Sequence, residues 1–361
     1  MKLTIDQPNL SALLSRVANA VEKRNTIPIL GNILLVAEGT TLTATGTDMD
    51  VEVTTTAQAD VTQSGSTTVS AAMLQAIVTK LAKGKLVTLT ADGLNLSIQS
   101  GRSDMLLAAL PIDDFPRLAS SEYAATFTAD QMAIKRLFDL SAFAMSTEET
   151  RYYLQGVYLH SVDGNARAVS TDGHRLAKID SAINADFPAV IVPRKTVGLI
   201  KSLLDEGSAT VSVSESKVKI DLGHTVVVSK VIDGTYPDYT RIIPSAHKTE
   251  VTVSAADVKQ ASALVSLVSA EKARAVKVTV GGDTLALEVR SGPEVGREEV
   301  DYEWSGDPIE CGVNAKYLAE ILQACNGDQA IMRFQGAGDP IVICPSEDDK
   351  ALFLVMPLRV N

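Results

Sequence analysis

The amino-acid sequence predicts an α+β fold with mainly antiparallel sheets, built by repetition of one unit. Three segments, beginning near residues 3, 127 and 251, each contain an alternating strand, a Ser, Thr, Asp or Asn cap and an amphipathic helix. The repeat length is about 124 residues, which favours a modular or ring-like architecture over a single-pocket enzyme. Short strands outnumber helices, and two helices per repeat are too few to cover both faces of a large parallel sheet.

A second set of segments divides each third of the chain into two halves. Its members, which begin near residues 69, 192 and 312, each contain a strand end, a helix and a glycine stop, followed by a pair of alternating strands. Each third is therefore predicted to hold two β-α-β-β-β halves. We expect three domains, at residues 1–122, 123–246 and 247–361, and six helices, at residues 9–25, 70–85, 129–145, 193–206, 254–274 and 313–325.

Composition excludes several classes of protein. The chain has 361 residues, of which 45% are hydrophobic and 21% are charged, as in ordinary globular proteins. The first residues are interrupted by polar side chains, and no window approaches an uninterrupted apolar span, so we expect no signal peptide, no membrane contact and a cytoplasmic protein. The three cysteines are predicted to be reduced and buried. No HExxH, Walker A, GxGxxG or GxSxG motif is present, so we expect no metal and no cofactor.

The net charge of −11 argues against a nucleic-acid partner, but the basic residues are unevenly distributed. The predicted helices carry a net positive charge, and the rest of the chain is strongly acidic. Helices that share one surface could bind a phosphate backbone without reading its sequence. Solvated helix faces are the alternative. The basic clusters are Lys23 with Arg24; Lys80, Lys83 and Lys85; Lys135 with Arg136; and Arg194 with Lys195.

The segment STDGHRLA, residues 170–177, places a hydroxyl, a carboxylate, an imidazole and a guanidinium close together. A matching segment, GTDMDVEV from Gly46, lies one repeat earlier, and a catalytic centre would not need an inert copy. Asp172 and Gly173 lie between alternating segments, which predicts a hairpin turn in which Asp172 bonds the backbone two residues on. Catalytic triads are assembled from distant segments. The pattern therefore favours a structural turn or a peptide-binding edge, and both readings stay open.

Three further segments are candidates for function. In the first domain, Asp48, Asp50 and Glu52 alternate on one predicted strand face, where a solvated acidic stripe is favoured over a metal site. RYYLQGVYL, from Arg151, is a plausible platform for a backbone and a base, although adjacent strand residues face opposite ways. The C-terminal LFLVMPLRVN is apolar, and its proline break predicts an exposed apolar lip that needs a partner.

Four segments in register, RYYLQGVYL, STDGHRLAKI, YPDYTRIIP and the terminal VMPLRV, resemble the bacterial DNA polymerase III beta subunit family of sliding clamps. The resemblance covers the whole triplicated chain. It implies the DNA clamp fold and a head-to-tail homodimer whose six domains close around duplex DNA without sequence preference. The helices would line the hole, and the ring would confer processivity without being an enzyme. The implied partners are the DNA polymerase III alpha subunit, a clamp loader and other replication and repair proteins that carry the clamp-binding motif.

The resemblance also implies three sets of site residues. The DNA contacts would be Arg24, Tyr152, Tyr153, Arg194 and Lys195. The client-peptide cleft would be formed by Leu154, Thr171, Gly173, His174, Arg175, Leu176, Pro237, Arg241 and Ile242, with Pro340, Leu354, Met356, Pro357, Leu358, Arg359 and Val360. The dimer interface would contain Arg102, Asp104, Met105, Leu107, Leu267, Val268, Arg297 and Glu298, with Asp104 paired to Arg297 of the other copy.

Two other functions remain open on the residues alone. One is a cytosolic enzyme that uses Asp172 and His174, and it predicts loss of turnover when His174 is replaced. The other is a repeat scaffold without DNA, and it predicts that replacing Arg24 changes only surface charge. A clamp, in contrast, would fold normally without the His174 side chain and lose its client peptides.

Overall fold

The computed structural model describes residues 1–22, 26–119, 121–269, 275–325 and 327–359. Two predicted site residues, Arg24 and Val360, lie outside the described residues. All six predicted helices are present, and each is shorter than predicted. They are α1 (Gln7–Ala18), α2 (Ala71–Lys80), α3 (Gln131–Ser141), α4 (Arg194–Leu203), α5 (Ala255–Val265) and α6 (Ala315–Ala324).

Side-chain caps and one apolar face explain where the helices form. In α1 the buried residues Leu10, Leu13, Leu14 and Val17 recur at helical spacing, so a single stripe faces the core. α3 and α5 end earlier than predicted because short 3-10 turns follow them at Ala142–Ala144 and Ser266–Val268. A side-chain oxygen accepts a hydrogen bond from the first turn of five helices, and the capping residues are Asp6, Ser70, Asp130, Ser254 and Asn314.

The strands of the described residues follow the predicted β-α-β-β-β order in all six halves, with β5 and β22 as additions. The first three halves contain β1 (Lys2–Asp6), β2 (Asn32–Glu38), β3 (Thr41–Thr47), β4 (Val51–Gln58), β5 (Asp60–Gln63); β6 (Gly65–Ser70), β7 (Leu86–Asp92), β8 (Asn95–Ser100), β9 (Ser103–Ala108); and β10 (Ala125–Asp130), β11 (Gly156–Val162), β12 (Asn165–Thr171), β13 (Arg175–Asn184). The last three contain β14 (Val190–Pro193), β15 (Ser208–Val213), β16 (Lys217–Asp221), β17 (Thr225–Lys230); β18 (Thr249–Ser254), β19 (Ala275–Val280), β20 (Leu285–Ser291), β21 (Glu294–Val300), β22 (Tyr302–Gly306); and β23 (Ile309–Asn314), β24 (Gln329–Phe334), β25 (Ile341–Pro345), β26 (Ala351–Val355).

The first strand of each half pairs with a strand of the neighbouring half, and β1 and β18 also pair with β5 and β22 of their own halves. β1 pairs with β7 and β6 pairs with β2. The same exchange joins β10 to β15, β14 to β11, β18 to β24 and β23 to β19. Because all these pairs are antiparallel, the predicted antiparallel character of the sheets is confirmed. Each exchange places strands from both halves of a repeat in one sheet.

The strands form four sheets. Their orders are β5-β1-β7-β8-β9, β10-β15-β16-β17-β4-β3-β2-β6, β14-β11-β12-β13-β26-β25-β24-β18-β22 and β21-β20-β19-β23. The chain divides into two compact units, one of Met1–Lys135 with Lys195–Val231 and the other of Arg136–Arg194 with Ile232–Asn361. Each sheet lies within one unit, so the units follow the sheets, whereas the three predicted domains follow the repeat.

When the added strands β5 and β22 are left out, the last strand of a half makes the pairings that extend the two larger sheets. β17 pairs with β4, and β13 pairs with β26. The corresponding strands of the two remaining halves are β9 and β21. In the described part of the chain each of them has a partner on one side only, so both are open sheet edges. In the same part of the chain, no helix is long and apolar enough to cross a membrane.

Candidate functional site

The turn between β12 and β13 is held together by Thr171 and Asp172. The Thr171 hydroxyl donates to the Arg175 carbonyl at 2.6 Å and accepts from the Gly173 N–H at 3.1 Å. Oδ1 of Asp172 accepts from the N–H groups of His174 and Arg175 at 2.9 and 3.0 Å. The predicted hairpin turn is therefore confirmed. The Asp172 carboxylate is occupied by the backbone, which leaves it poorly placed to act as a base.

The same bonds recur one repeat earlier, between β3 and β4. The Thr47 hydroxyl donates to the Val51 carbonyl at 2.9 Å, and Oδ1 of Asp48 accepts from the N–H groups of Asp50 and Val51 at 2.9 and 2.8 Å. Met49 has φ +77°, where Gly173 has φ +87°. The two segments are copies of one turn, and the chemical appearance of STDGHRLA comes mainly from the requirements of that turn.

Asp48 and Asp50 lie in the turn between β3 and β4, and Glu52 is buried on β4, so the predicted solvated stripe on one strand face is wrong. Each of the three carboxylates pairs with a cation. Asp48 pairs with Lys195, Asp50 with Lys230 at 3.0 Å, and Glu52 with Arg117 at 3.1 Å. Burial acts to raise the pKa of Asp48, but the hydrogen bond from Lys195 and backbone amides lower that pKa below its ordinary value. Among the described residues, no group of three or more His, Cys, Asp and Glu side chains is placed to hold a metal ion.

The structure gathers the predicted client-peptide cleft around β13 and β26, which pair with Leu176 opposite Leu354. These two leucines and Leu154 are buried in one apolar cluster with Tyr236 and Tyr239, and Met356 packs against it half-buried. The Met356 N–H donates to the His174 carbonyl at 2.8 Å, which fixes the end of β26 against the turn. Residues far apart in the chain thus form one apolar floor with a polar turn at its edge.

The other predicted cleft residues lie around this floor. Pro237 and Ile242 are exposed, and the exposed Arg241 is paired with Asp238 at 2.8 Å. Pro340 directly precedes β25, whose first residue Ile341 lies opposite Val355 of β26.

The end of the chain departs from its prediction. Pro357 and Leu358 are half-buried, although an exposed apolar lip was expected. The Leu358 N–H donates to the Gly312 carbonyl at 2.8 Å, and this bond holds the segment against β23. Arg359, the next residue, is exposed.

Arg175 differs from its sequence interpretation. The resemblance places Arg175 in the client-peptide cleft, but its side chain is only 9% exposed. Its guanidinium pairs with Asp172 at 3.1 Å and with Glu320 of α6. The reason is strand alternation: Leu176 faces the apolar floor, so its neighbour faces the opposite side of the sheet.

The two tyrosines of RYYLQGVYL lie on a 3-10 helix at Glu149–Leu154, before β11 begins. Tyr152 is 52% exposed, whereas Tyr153 is partly buried against the cleft's apolar cluster. Their rings meet edge to face, with 5.7 Å between centroids. Only Tyr152 therefore presents most of its ring to solvent for stacking on a base.

Several basic residues predicted to face DNA are bonded within the chain. Arg194 donates to the carbonyls of Met145 and Ser146 at 2.6 and 3.0 Å, and Lys195 donates to the Ala20 carbonyl at 3.0 Å as well as pairing with Asp48. In another cluster Lys135 donates to the Lys201 carbonyl at 2.9 Å, and Arg136 pairs with Asp348. These cations contribute charge to their surface, but much of their hydrogen-bonding capacity is used internally.

The residues predicted for a dimer interface lie on and beside the two open edges. Arg102, Asp104 and Met105 are exposed, but Leu107 is buried and faces the core, so it is wrongly placed as a direct contact. Next to the other edge, Leu267 is 76% exposed, while Val268 and Glu298 are half-buried. Arg297 is bonded to Glu299 at 2.9 Å in this single chain. Its pairing with Asp104 of another copy stays a prediction.

Two aromatic side chains near the site, Tyr317 and Tyr158, were not identified from the sequence. Tyr317, on the first turn of α6, stacks near His174 with 6.2 Å between ring centroids and an angle of 19°. Tyr158 stacks on Tyr236 at 4.7 Å and an angle of 2°. Tyr158 belongs to a quoted segment, but its stacking partner lies in YPDY, far along the chain. No local pattern indicates that Tyr317 approaches the turn.

His160 is half-buried, and two of the three cysteines are buried. Burial and the nearby Arg167 lower the pKa of His160 to about 4. Burial raises the pKa values of Cys311 and Cys325 to about 12, and all three cysteines are free thiols, as predicted. Cys344 is only half-buried, so the prediction that all three cysteines are buried is wrong for this residue.

Comparisons with known proteins cover the whole chain. The N-terminal, central and C-terminal domain models of the DNA polymerase III beta subunit match residues 1–119, 128–238 and 240–359. The beta sliding clamp of Caulobacter vibrioides is 40% identical over 373 residues, with all of both chains covered. The crystal structure of a sliding clamp from Bartonella birtlesii bound to griselimycin has a TM-score of 0.95 and 36% identity over all of both chains. A Pseudomonas aeruginosa clamp bound to griselimycin has a TM-score of 0.96 and 32% identity, also over all of both chains.

These matches confirm the resemblance and the clamp fold. They also agree with the interpretation that the repeated segments have a structural role and no catalytic one. Relatives across the full length are named as sliding clamps, which are processivity factors and not enzymes. The chain belongs to the DNA polymerase III beta subunit family of sliding clamps.

Proposed function

We propose that two copies of this chain close head to tail into a ring around duplex DNA, and that the ring tethers DNA polymerase III to its template. Family membership supports the function, and the ring follows from the sheet edges. The proposal includes three domains at residues 1–122, 123–246 and 247–361, which the three family matches support. It also places the protein in the cytoplasm, where bacterial DNA is replicated.

The observation that carries the ring is the pairing of last strands. Within the chain, β17 joins β4 and β13 joins β26, each time extending a sheet between two halves. β9 and β21 are the equivalent strands left with open edges in the described structure. β9 lies in the first repeat and β21 lies in the last repeat, so each chain has one such open edge in each terminal repeat. We expect β9 of one copy to pair with β21 of the next. Exposed edges of this kind invite pairing unless they are covered.

Apolar and charged side chains at the edges support the same pairing. Leu106 on β9 is 68% exposed, and Leu267 next to β21 is 76% exposed. Exposed apolar residues at an open edge favour burial against a partner. β21 carries Arg297 among Glu294, Glu298 and Glu299, and the one charged residue of β9 is Asp104, so Arg297 is the residue of this edge whose charge would favour the pairing.

DNA would be held mainly by enclosure. Tyr152 offers an exposed ring, but the predicted cations Arg194 and Lys195 are already bonded to backbone carbonyls. Weak, sequence-independent contacts suit a protein that slides, and the acidic remainder of the chain opposes adhesion to DNA. A closed ring needs opening, and we propose that a separate clamp loader does this.

The cleft between β13, β26 and the Tyr236–Tyr239 segment would take the clamp-binding motif of the polymerase alpha subunit and other clients. Its floor is apolar, and Met356 at its margin is flexible enough to adapt to different side chains. Griselimycin is bound by clamps of Bartonella birtlesii and Pseudomonas aeruginosa, and we propose that this chain binds it as well.

The dimer is tested by Leu106→Glu, which places a carboxylate on β9. We expect sedimentation to show a dimer for the unchanged protein and a monomer, or a dimer at least tenfold weaker, for the variant, because a buried unpaired charge is costly at an interface. Leu86→Glu is the matched control, since Leu86 is 64% exposed on β7 of the same sheet, away from the open edge. It should remain dimeric. A monomeric unchanged protein, or equal weakening by both substitutions, would contradict the ring.

A further inference from the structure

Arg175 lies on the side of β13 that faces away from the client-peptide cleft. Leu176, its neighbour, is fully buried in the apolar floor of the cleft. The Arg175 guanidinium instead lies 4.5 Å from the ring centroid of Tyr317 and 5.4 Å from that of Phe143. Both distances are within the range of cation–π attraction. The side chain therefore acts behind the cleft wall and not on its surface.

A guanidinium that is 9% exposed needs compensating charge. Leaving one partner of a buried pair unmatched is strongly destabilising locally. Asp172 supplies one carboxylate, at 3.1 Å from Nε, but its other oxygen is occupied by the turn. Glu320, on α6, supplies the second carboxylate through an ion pair with the other end of the guanidinium. Glu320 is thus the one long-range carboxylate paired with Arg175 in the described residues.

This ion pair connects α6 to the turn that carries His174. Tyr317 lies on the same helix, one turn before Glu320, and it contacts both the Arg175 guanidinium and the His174 ring. The His174 carbonyl in turn accepts the N–H of Met356. Holding α6 to the turn therefore fixes His174 and Met356, two predicted wall residues of the cleft, although Glu320 contacts neither through a described hydrogen bond.

Close packing alone does not hold the turn in place, because an open cavity of about 1020 Å³ lies behind it. Its lining includes Phe143, Arg175, Tyr317 and Glu320, with Lys259 and Lys316 at the rim of α5 and α6. Side chains that border such a space can adopt other positions with little steric resistance. The ion pair with Glu320, together with Asp172 and the Tyr317 ring, holds the Arg175 guanidinium at the edge of this space.

We propose that Glu320 is a positioning residue for client-peptide binding, acting through Arg175 to hold the His174–Met356 wall of the cleft. This inference rests on the proposed function of the cleft. It assigns a role to a helix residue that lies behind the cleft and outside every predicted site set.

Glu320→Gln tests the proposal, because it removes the charge and keeps the shape of the side chain. The readout is the affinity for a fluorescent peptide that carries the clamp-binding motif, measured on the full-length dimer. We expect affinity to fall roughly 3- to 30-fold, as for other residues that act through a coupled neighbour. Glu320→Asp, which keeps the charge on a shorter chain, should recover part of the loss.

Glu250→Gln is a matched control, since Glu250 is 36% exposed and pairs with Arg333 at 2.8 Å, whereas Glu320 is 34% exposed. The control should bind the peptide as the unchanged protein does. A second readout follows the wall itself: the ¹³C-labelled methyl signal of Met356, assigned with Met356→Leu, should shift in Glu320→Gln and not in Glu250→Gln.

The possible outcomes distinguish failure of the proposed cleft function from failure of the proposed role of Glu320. If the unchanged protein does not bind the peptide, the proposed function of the cleft fails. If it binds, and Glu320→Gln binds equally well with an unshifted Met356 signal, the cleft stands and the role of Glu320 is refuted. Equal losses in both Gln variants would show a general effect of breaking an ion pair, and would also overturn the positioning role.

Discussion

At the scale of single residues, the two Thr-Asp turns explain what the sequence could and could not reveal. The bonds made by Asp172 were predictable because Asx turns are local and need only adjacent residues. The direction of the Arg175 side chain was not, since it depends on where β13 begins, and a shift of one residue reverses every side chain. Tyr317 and Glu320 were missed because their contacts with the turn join segments far apart in the chain.

His160 gives a prediction for the dependence of stability on pH. Burial and the nearby Arg167 lower its pKa from 6.5 to about 4, so the unfolded chain binds a proton in this window before the folded chain does. The His160 contribution to stability is therefore complete above pH 6.5 and is lost as the pH falls towards 4. His160→Gln can still bond to the Tyr239 hydroxyl, which lies 3.1 Å from the ring nitrogen, but cannot titrate.

The measurement is the free energy of unfolding of both proteins from pH 7.5 to 4.5. As the pH falls, the free energy of unfolding of His160→Gln should rise relative to that of the unchanged protein by about 1–2 kcal/mol. This range allows for solvent screening of a part-exposed ring. Carboxylates titrate in both proteins and cancel in the difference. A difference that stays constant across the range would show that His160 is not held neutral by the fold.

At the scale of elements, the order strand, helix, three strands was readable in every half, because hydrophobic periodicity and caps are local signals. The exchange of first strands, in which β1 joins β7 and β6 joins β2, was not readable, because periodicity does not specify which strands pair. The same limit applies to the open edges β9 and β21. The resemblance indicated these regions, while the topology gives the physical reason.

Two glycines, one at the start of a strand and one in a helix, give a pair of predictions for the free energy of unfolding. A Cβ on Gly156, at the start of β11, would lie 2.4 Å from the Val192 carbonyl oxygen and 2.8 Å from a methyl group of Ile191. Gly156→Ala should therefore lower stability by about 2–3 kcal/mol, as overpacking does. Gly198 in α4 has nothing within 4 Å of the added atom, so Gly198→Ala should raise stability by about 0.5–1 kcal/mol.

The shift of the urea unfolding midpoint gives the change in stability of each variant, provided that the slope of the unfolding free energy against urea concentration stays constant. Opposite signs are the essential result, because both substitutions add the same methyl group. If Gly156→Ala is as stable as the unchanged protein, β11 and β14 do not approach as closely as described, and the support beneath the tyrosine-bearing 3-10 helix is different.

At the scale of the whole molecule, a net charge of −11 and a DNA partner are compatible if the DNA is enclosed and not gripped. The sequence indicated basic helices, but it could not show that Arg194, Lys195, Lys135 and Arg136 bond to groups within their own chain. With these cations occupied, we expect direct binding to phosphates to be weak. Topology is then the stronger means of retaining the protein on DNA.

If the ring stays on DNA because it encloses it, cutting a circular DNA should release it. The purified protein is loaded onto nicked circular DNA with a clamp loader and ATP, separated from free protein, and the circle is then cut once. We expect the protein to stay on the circle and to leave after the cut, at a rate that depends little on salt. Protein that remains on the linear DNA, or that never loads with a loader shown to be active on another clamp, would contradict a ring held by linkage.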